Sequence, residues 1–478
     1  MKRKSLIVVH TNTWFTEMNR VADLVIKSEI FSPHVHFAYA YPTVDNDIQK
    51  LIEKKISFST AWKQRPDIIS TGVLAKILRV SNYYLERIFK IRKIWGFVSR
   101  RAQPLTAPFS SLQKSRQEIL QYKKLIADVD ACLVVMGGDL VGYNTPEIVR
   151  AAREMNRACV IVPSTMSDGT EQAEAYFFDS NFSLEKPFNR FAGWLWPKWK
   201  KLHKGKWLVR VPALQIFARQ WLCTDPPLPW VSSSTRADAI AVESEAMRDY
   251  YLRCGIDQKY LFETGSLAND KMAIILKNKD WHKSDLIRNL NLDIKKKVIL
   301  TALPPDSLYM KGGRPECEFK SYEELTRFWV RSLAAANNFN VVISLHPSVD
   351  RSDFLYLESE NVRISTLPIV DLIPLCDVFV ASVSSTIRWS ITCAKPVINY
   401  DVYHYGYADF KAVKGVVLLE KAADFIKTLA QINDETSGYL AFLNQEIESQ
   451  ASYWGNLDGL EGKRILDLFE REMKKKTL

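Results

Sequence analysis

VVISLHPSVD (341–350), CDVFVASVSST (376–386) and KPVINYD (395–401) decide how this chain is read. The first is an apolar strand ending in His346-Pro347. The second is an apolar strand that runs into Ser382, Ser384, Ser385 and Thr386 and then opens a helix. The third is a strand ending in Asp401. Short apolar runs bounded by polar loops and separated by helical stretches mark the doubly buried strands of a parallel α/β sheet. Small hydroxylated residues at a strand-to-helix turn form a phosphate cradle, because the first helical amides point outward unpaired and the hydroxyls add donors. His346 would add a further donor at the same sheet edge.

The pattern continues toward the N-terminus. Residues 297–301 read as the first strand of the same half, followed by the Pro304-Pro305-Asp306 loop; 323–337 is an amphipathic helix, 340–345 a strand. An earlier half begins with strand 6–9, helix 18–26 and strand 35–39. Strand 130–136 ends in Gly137-Gly138-Asp139, and strand 159–163 leads to Ser167-Asp168-Gly169. Strand 239–242 follows, and Thr264-Gly265-Ser266 closes the half. The fold class is therefore α/β, with two Rossmann-like doubly wound domains facing a central cleft. The first spans 1–270. It carries a helical insertion at about 75–127 and an irregular aromatic and basic segment at about 180–230. The second spans 271–455, and 456–478 is a C-terminal helix. Ligands of such sheets lie beyond the carboxyl ends of the strands, so the cleft is the expected site.

Bulk properties narrow the function classes. The chain has 478 residues, 47% of them hydrophobic and 25% charged, as expected of a folded protein with two cores. The basic N-terminus 1–5 resembles a secretory leader, but the apolar run after it is too short, and it reads as a first strand. With no apolar stretch long enough to span a bilayer, the expected location is cytoplasmic, with peripheral attachment to the inner membrane as an option. Seven scattered cysteines without zinc-ligand spacing read as reduced thiols. The net charge of +11 is concentrated at 76–101 and in WLWPKWKKLHKGKWLVR (194–210). Tryptophans interleaved with lysines suit an anionic membrane surface; a solvated basic face with aromatic stems packed inward reads equally well. No compact nucleic-acid recognition motif is present, and no nucleic-acid partner is expected.

Taken together, these features resemble the two-domain glycosyltransferases of the GT-B fold. The His346-Pro347 and Ser384-Ser385 pairs are similar to those of bacterial transferases that use CMP-activated acidic sugars, the sialyl-, polysialyl- and Kdo-transferases. The resemblance implies a CMP-sugar co-substrate, no other cofactor, no metal, and a glycan or glycolipid acceptor in surface polysaccharide assembly. It assigns His346, Pro347, Ser384, Ser385 and Thr386, with Gly265 and Ser266, to the donor. Ser167-Asp168-Gly169 is similar to the acidic-acidic-glycine motif of the polysialyl and Kdo enzymes, with Ser167 in place of the first acid, which makes Asp168 the catalytic carboxylate and Asp139 the runner-up. UDP-N-acetylglucosamine 2-epimerases and CDP-glycerol polymerases share the architecture, so a UDP- or CDP-linked transferase or an epimerase is the alternative. The epimerases carry paired glutamates after the serine loop, whereas Thr386-Ile387-Arg388-Trp389-Ser390 has no carboxylate. A basic membrane- or nucleic-acid-binding protein is the alternative of another class.

Each of these residues also has a plain structural reading. His346 can cap a strand, 384–386 can cap a helix, and Asp168-Gly169 can be a turn. Arg388 contacts an acidic sugar or faces solvent. His404, between Tyr403 and Tyr405, packs or lines the donor site beside Asp401.

Overall fold

The computed structural model describes residues 2–10, 12–38, 44–60, 112–163, 169–234, 236–308, 316–346, 349–406 and 409–477. The chain first makes β1 (Arg3–Val9), β2 (Phe31–Phe37), β3 (Ser57–Thr60), β4 (Ala131–Met136) and β5 (Ala158–Ile161). An antiparallel hairpin of β6 (Lys200–His203) and β7 (Lys206–Val209) stands apart, and β8 (Ala239–Val242) and β9 (Leu261–Glu263) return to the first sheet. That sheet is parallel throughout, in the order β3-β2-β1-β4-β5-β8-β9.

The second sheet holds β10 (Lys297–Ala302), β11 (Phe339–Ser344), β12 (Val362–Ser365), β13 (Val378–Ala381), β14 (Val397–Tyr400) and β15 (Val416–Leu419). Its order is β12-β11-β10-β13-β14-β15, again all parallel. Each sheet grows outward from its first strand on one side and then the other. The order reverses between β1 and β4 and between β10 and β13, and these are the two topological switch points.

Side-chain alternation explains why the strands read as unbroken apolar runs. Leu6, Val8, Val134 and Met136 enter one core, while Ile7, Val9, Leu133 and Val135 enter the core on the opposite face. A sheet buried on both faces has no polar face to alternate with. The helix at 112–129 belongs to this packing. Its Ile119, Tyr122, Ile126 and Val129 recur at helical spacing and lie in the first domain's core. Residues 112–127 of the expected insertion (about 75–127) are thus a helix packed into that core; its remainder, 75–111, lies outside the described residues. The 180–230 segment is more regular than expected. Helices Pro187–Leu195 and Ala213–Trp221 pack with the β6–β7 hairpin around Trp199, Val209 and Ile216.

The C-terminal helix starts later than expected, at Glu461, and ends at Thr477. It packs on the first domain. Its Ile465, Leu468, Phe469 and Met473 join the core on one face of the first sheet. Its leading amides, on Glu461 and Gly462, donate to the Asp270 carboxylate at 3.1 and 2.8 Å, which supplies the charge a helix N-terminus favours. Arg464 Nε donates to the Thr264 carbonyl at 2.9 Å. Gly265, between these contacts, has φ +80°, and a Cβ there would collide with the buried Glu461 side chain.

Gly265→Ala should therefore lower unfolding free energy by about 1–3 kcal/mol from backbone strain alone. A urea unfolding midpoint equal to that of the parent chain would show that the helix is not seated against Gly265.

Candidate functional site at the facing carboxyl edges

Parallel pairing puts the carboxyl ends of β10, β11, β13 and β14 on one edge of the second sheet. His346 follows β11, and Ser384, Ser385 and Thr386 follow β13. β10 lies between those two strands, so the groups flank it, about 10 Å apart at the usual strand spacing of about 4.8 Å. Asp401 and His404 follow β14, one strand further out.

The loops at this switch point are held firmly. After β10, the carbonyl of Pro304 accepts from the Tyr322 hydroxyl at 2.8 Å, and that of Pro305 from the Tyr403 hydroxyl at 2.6 Å. The Tyr405 hydroxyl donates to Ser307 Oγ at 2.8 Å. After β13, the Val383 amide donates to Asn399 Oδ1 at 2.8 Å. Val383 has φ +48°, a left-handed conformation that a β-branched residue adopts only when its surroundings impose it. Ser384 and Thr386 share a hydroxyl hydrogen bond of 2.8 Å, and the Thr386 amide donates to Ser384 Oγ at 3.3 Å. Ser382 Oγ is buried without a hydrogen-bond partner among the described residues.

His346 is exposed at the strand end, and partial desolvation of its ring lowers its pKa. At neutral pH its ring is therefore uncharged, and it can act toward a ligand as a neutral hydrogen-bond donor. Asp401 accepts from the Gly406 amide at 2.8 Å, and burial raises its pKa. His404, at φ +52°, lies 4.0 Å from Glu420 across the outer strand ends.

The first sheet's switch point has a different lining. His10, just past β1, is fully buried; burial drives its pKa down to about 3, and its Nε2–H donates to Asn144 Oδ1 at 3.0 Å. Trp14 sits edge-on to His10 with centroids 5.3 Å apart. A Cβ on Gly138 would stand 3.1 Å from the Trp14 ring, so the second glycine of Gly137-Gly138 makes room for the indole. Asp139 ends the same loop, is buried, and accepts from Thr145 Oγ1 at 2.5 Å. Gly265 and Ser266 are at the end of β9, where Ser266 Oγ caps the following helix by accepting from the Ala268 amide at 3.2 Å. Asp168 and Pro347 lie outside the described residues.

Arg388 takes up neither of its expected roles at the surface. It is 3% exposed, and its guanidinium pairs at 2.8 Å with Glu243, the residue that follows β8 in the other domain. The pair bridges the two carboxyl edges. Burial outweighs the Arg388 charge and, with a smaller push from Glu17, holds the Glu243 carboxyl up at about 7. Glu243 and Asn399 were missed as site residues. The signal for each is a polar residue at or inside an otherwise apolar strand, in AIAVE (239–243) and VINY (397–400). No cluster of three His, Cys, Asp or Glu residues suited to a metal ion occurs among the described residues.

The penalty for ionising Glu243 sets in above its ordinary value of 4.5 and is complete above about 7. Removing the neutralising partner deepens it. Arg388→Gln should cost about 3–5 kcal/mol at pH 8 and markedly less at pH 5.5, where the carboxyl is protonated. An equal loss at both pH values, by denaturant titration, would show that Arg388 does not compensate Glu243.

No protein-family model and no curated protein sequence matches the chain. Solved structures do. A variant of the wall teichoic acid polymerase TagF is 10% identical, with TM-score 0.53 over 100% of this chain and 90% of that one. S. aureus MnaA with UDP is 13% identical, with TM-score 0.52 over 99% and 97%. The UDP-GlcNAc 2-epimerase from Neisseria meningitidis bound to UDP-GlcNAc is 15% identical, with TM-score 0.50 over 98% and 100%. At such identities the likeness is one of fold, and the chain has the two-domain, GT-B-like architecture.

Proposed function

We propose that this chain is an enzyme acting on a nucleotide-activated sugar held at the β10–β13 switch point, and that it transfers the sugar to a glycan or glycolipid acceptor. The observation that carries this reading is the construction of that switch point. Two loops are pinned by tyrosine hydroxyls and by Asn399, hydroxyls gather at 384–386, and a neutral His346 stands across β10. Such a crevice stabilises the charge that develops on a departing phosphate, and each preorganised donor of this kind typically contributes about 2.7–4 kcal/mol. The first domain would present the acceptor. Asp168 is the proposed base or nucleophile, by its sequence position after β5; a positioned carboxylate contributes about 10²–10⁴-fold as a base. Asp139 is the weaker choice, since its carboxylate is already engaged by Thr145.

The donor's base has two readings. A CMP-activated acidic sugar such as Kdo rests on the His-Pro and Ser-Ser pairs and on the lack of a carboxylate in 386–390. A UDP- or CDP-linked transferase or an epimerase gains weight from the UDP and UDP-GlcNAc bound in the similar structures. The engagement of Arg388 by Glu243 also removes one cation from those available to an acidic sugar.

Thermal unfolding with CMP, UDP and CDP in turn separates these readings. The cognate nucleotide at 100 times its dissociation constant should stabilise the fold by about 2.7 kcal/mol. A shift with UDP and none with CMP ends the CMP reading; no shift with any nucleotide ends the proposal. His346→Ala should keep the unliganded melting temperature and lower turnover by about 10²–10³-fold. Asp168→Asn should keep the nucleotide-induced shift and lose turnover. Near-normal turnover in either variant removes that residue from the chemistry.

A further inference from the structure

Beyond the cleft, the helical module of the first domain carries a surface with no role in the reading above. Phe188 and Trp194 on helix Pro187–Leu195 are each 71% exposed, and Trp221, at the end of helix Ala213–Trp221, is 80% exposed. These side chains belong to one continuous face. Phe191 stacks on Trp194 with centroids 6.1 Å apart and on Phe217 at 6.2 Å. Trp221 follows Phe217 by one helical turn and so lies on the same side of its helix. The hairpin carries two more exposed apolar side chains. Leu202 on β6 and Trp207 on β7 are directly opposed in register, and both are exposed.

Charge follows the same surface. Between Lys186 and Thr224 the sequence has nine lysines and arginines and no aspartate or glutamate; Arg210 and Arg219 are buried, and Lys198 and Lys204 pair with Asp225 and Glu174, which leaves the others to the surface. Lys186 and Arg190 are exposed at the helix. Lys200 places its ammonium 5.3 Å from the centre of the Trp207 ring. Its stem also lies 3.8 Å from where a Cβ on Gly193 would be, so the helix and the hairpin meet at this lysine.

We propose that this face docks on an anionic lipid bilayer. Water penalises such a large continuous aromatic patch. The interfacial zone of a membrane suits it, because indole rings settle at headgroup depth and lysines meet lipid phosphates while their stems cover apolar surface. Leu195 and Leu202, 40% and 53% exposed, select hydrocarbon over the stacked bases of a single-stranded nucleic acid, which reward aromatic rings and cations but not aliphatic side chains. No helix among the described residues is long and apolar enough to cross a membrane, so the contact is one of lying on the surface. Arg210 ties the module to the first sheet by donating to the Val141 carbonyl at 2.7 Å, in the loop after β4. A docked module therefore sets the carboxyl edge of the first sheet close to the bilayer. The inference does not depend on the identity of the sugar donor.

Co-sedimentation of the full chain with vesicles tests it. The chain should pellet with vesicles of equal parts phosphatidylglycerol and phosphatidylcholine, and much less with pure phosphatidylcholine. Trp194→Ser combined with Trp221→Ser should weaken the anionic-vesicle partition by about tenfold or more while leaving the melting temperature unchanged, since both rings are exposed. Lys186→Glu combined with Arg190→Glu should weaken it by at least about tenfold and erase the preference for anionic lipid. The proposal is overturned if the parent chain stays in solution with both vesicles. It is also overturned if the tryptophan variant pellets like the parent, or if the chain ignores vesicles while binding a single-stranded oligonucleotide.

Discussion

A parallel strand has to be covered on both faces, and that requirement organises this molecule. The crossovers that join parallel strands supply the cover, so helices occupy both faces of each sheet and little but the strand ends is left for chemistry. In each sheet the first strand lies at the centre and the order reverses beside it, between β1 and β4 and between β10 and β13. A crevice at each reversal is a consequence of chain order. Two such sheets in one chain give two crevices, which the cleft brings together.

The two crevices are lined differently, and the difference orders their roles. In the first domain, His10, Trp14 and the Asp139 loop are buried and bonded to one another or to neighbouring side chains. Burial keeps His10 neutral down to about pH 3, so this edge acts as packed wall. In the second, the loops after β10 and β13 are fixed from behind through Tyr322, Tyr403 and Asn399. Their hydroxyls and amides stay at the edge, and Val383 is held in a conformation it would not choose alone. Preorganised polar groups of this kind interact more strongly with a developing charge than mobile water does.

Much of this was legible in the sequence, for a definable reason. Doubly buried strands leave long apolar runs, and their ends show as an abrupt change to His-Pro, Ser-Ser or Gly-Gly, so the fold class and the location of the edges followed from local composition. What stayed hidden depends on contacts between residues far apart in the chain. Arg388 reads as a surface or ligand-binding cation until Glu243 is seen opposite it. The sequence shows a C-terminal helix but not where it packs: its apolar stripe fits the first sheet and its leading amides find Asp270. β15 is the edge strand of its sheet, and its residues are half-exposed although VVLL (416–419) is wholly apolar. Helix 112–129 adjoins a basic segment, and only the apolar spacing of 119, 122, 126 and 129 marks it as a core helix.

The contact between Arg388 and Glu243 is a buried ion pair between the halves. Burying two charges costs several kcal/mol for each, and mutual attraction offsets this only while the pair is intact. Any opening of the cleft that separates them would leave each charge in apolar surroundings until water reached it. Lys271 and Asp371, paired at 2.6 Å at the other side of the junction, are more exposed and separate at smaller cost. Helices Leu267–Lys277 and Tyr439–Trp454 also join the domains: the first contributes Ala268 and Met272 to the shared core, and from the second the Tyr453 hydroxyl donates to Asp249 Oδ2 at 2.7 Å. Hydrophobic contact along these helices and the buried Arg388–Glu243 pair together hold the two halves against each other.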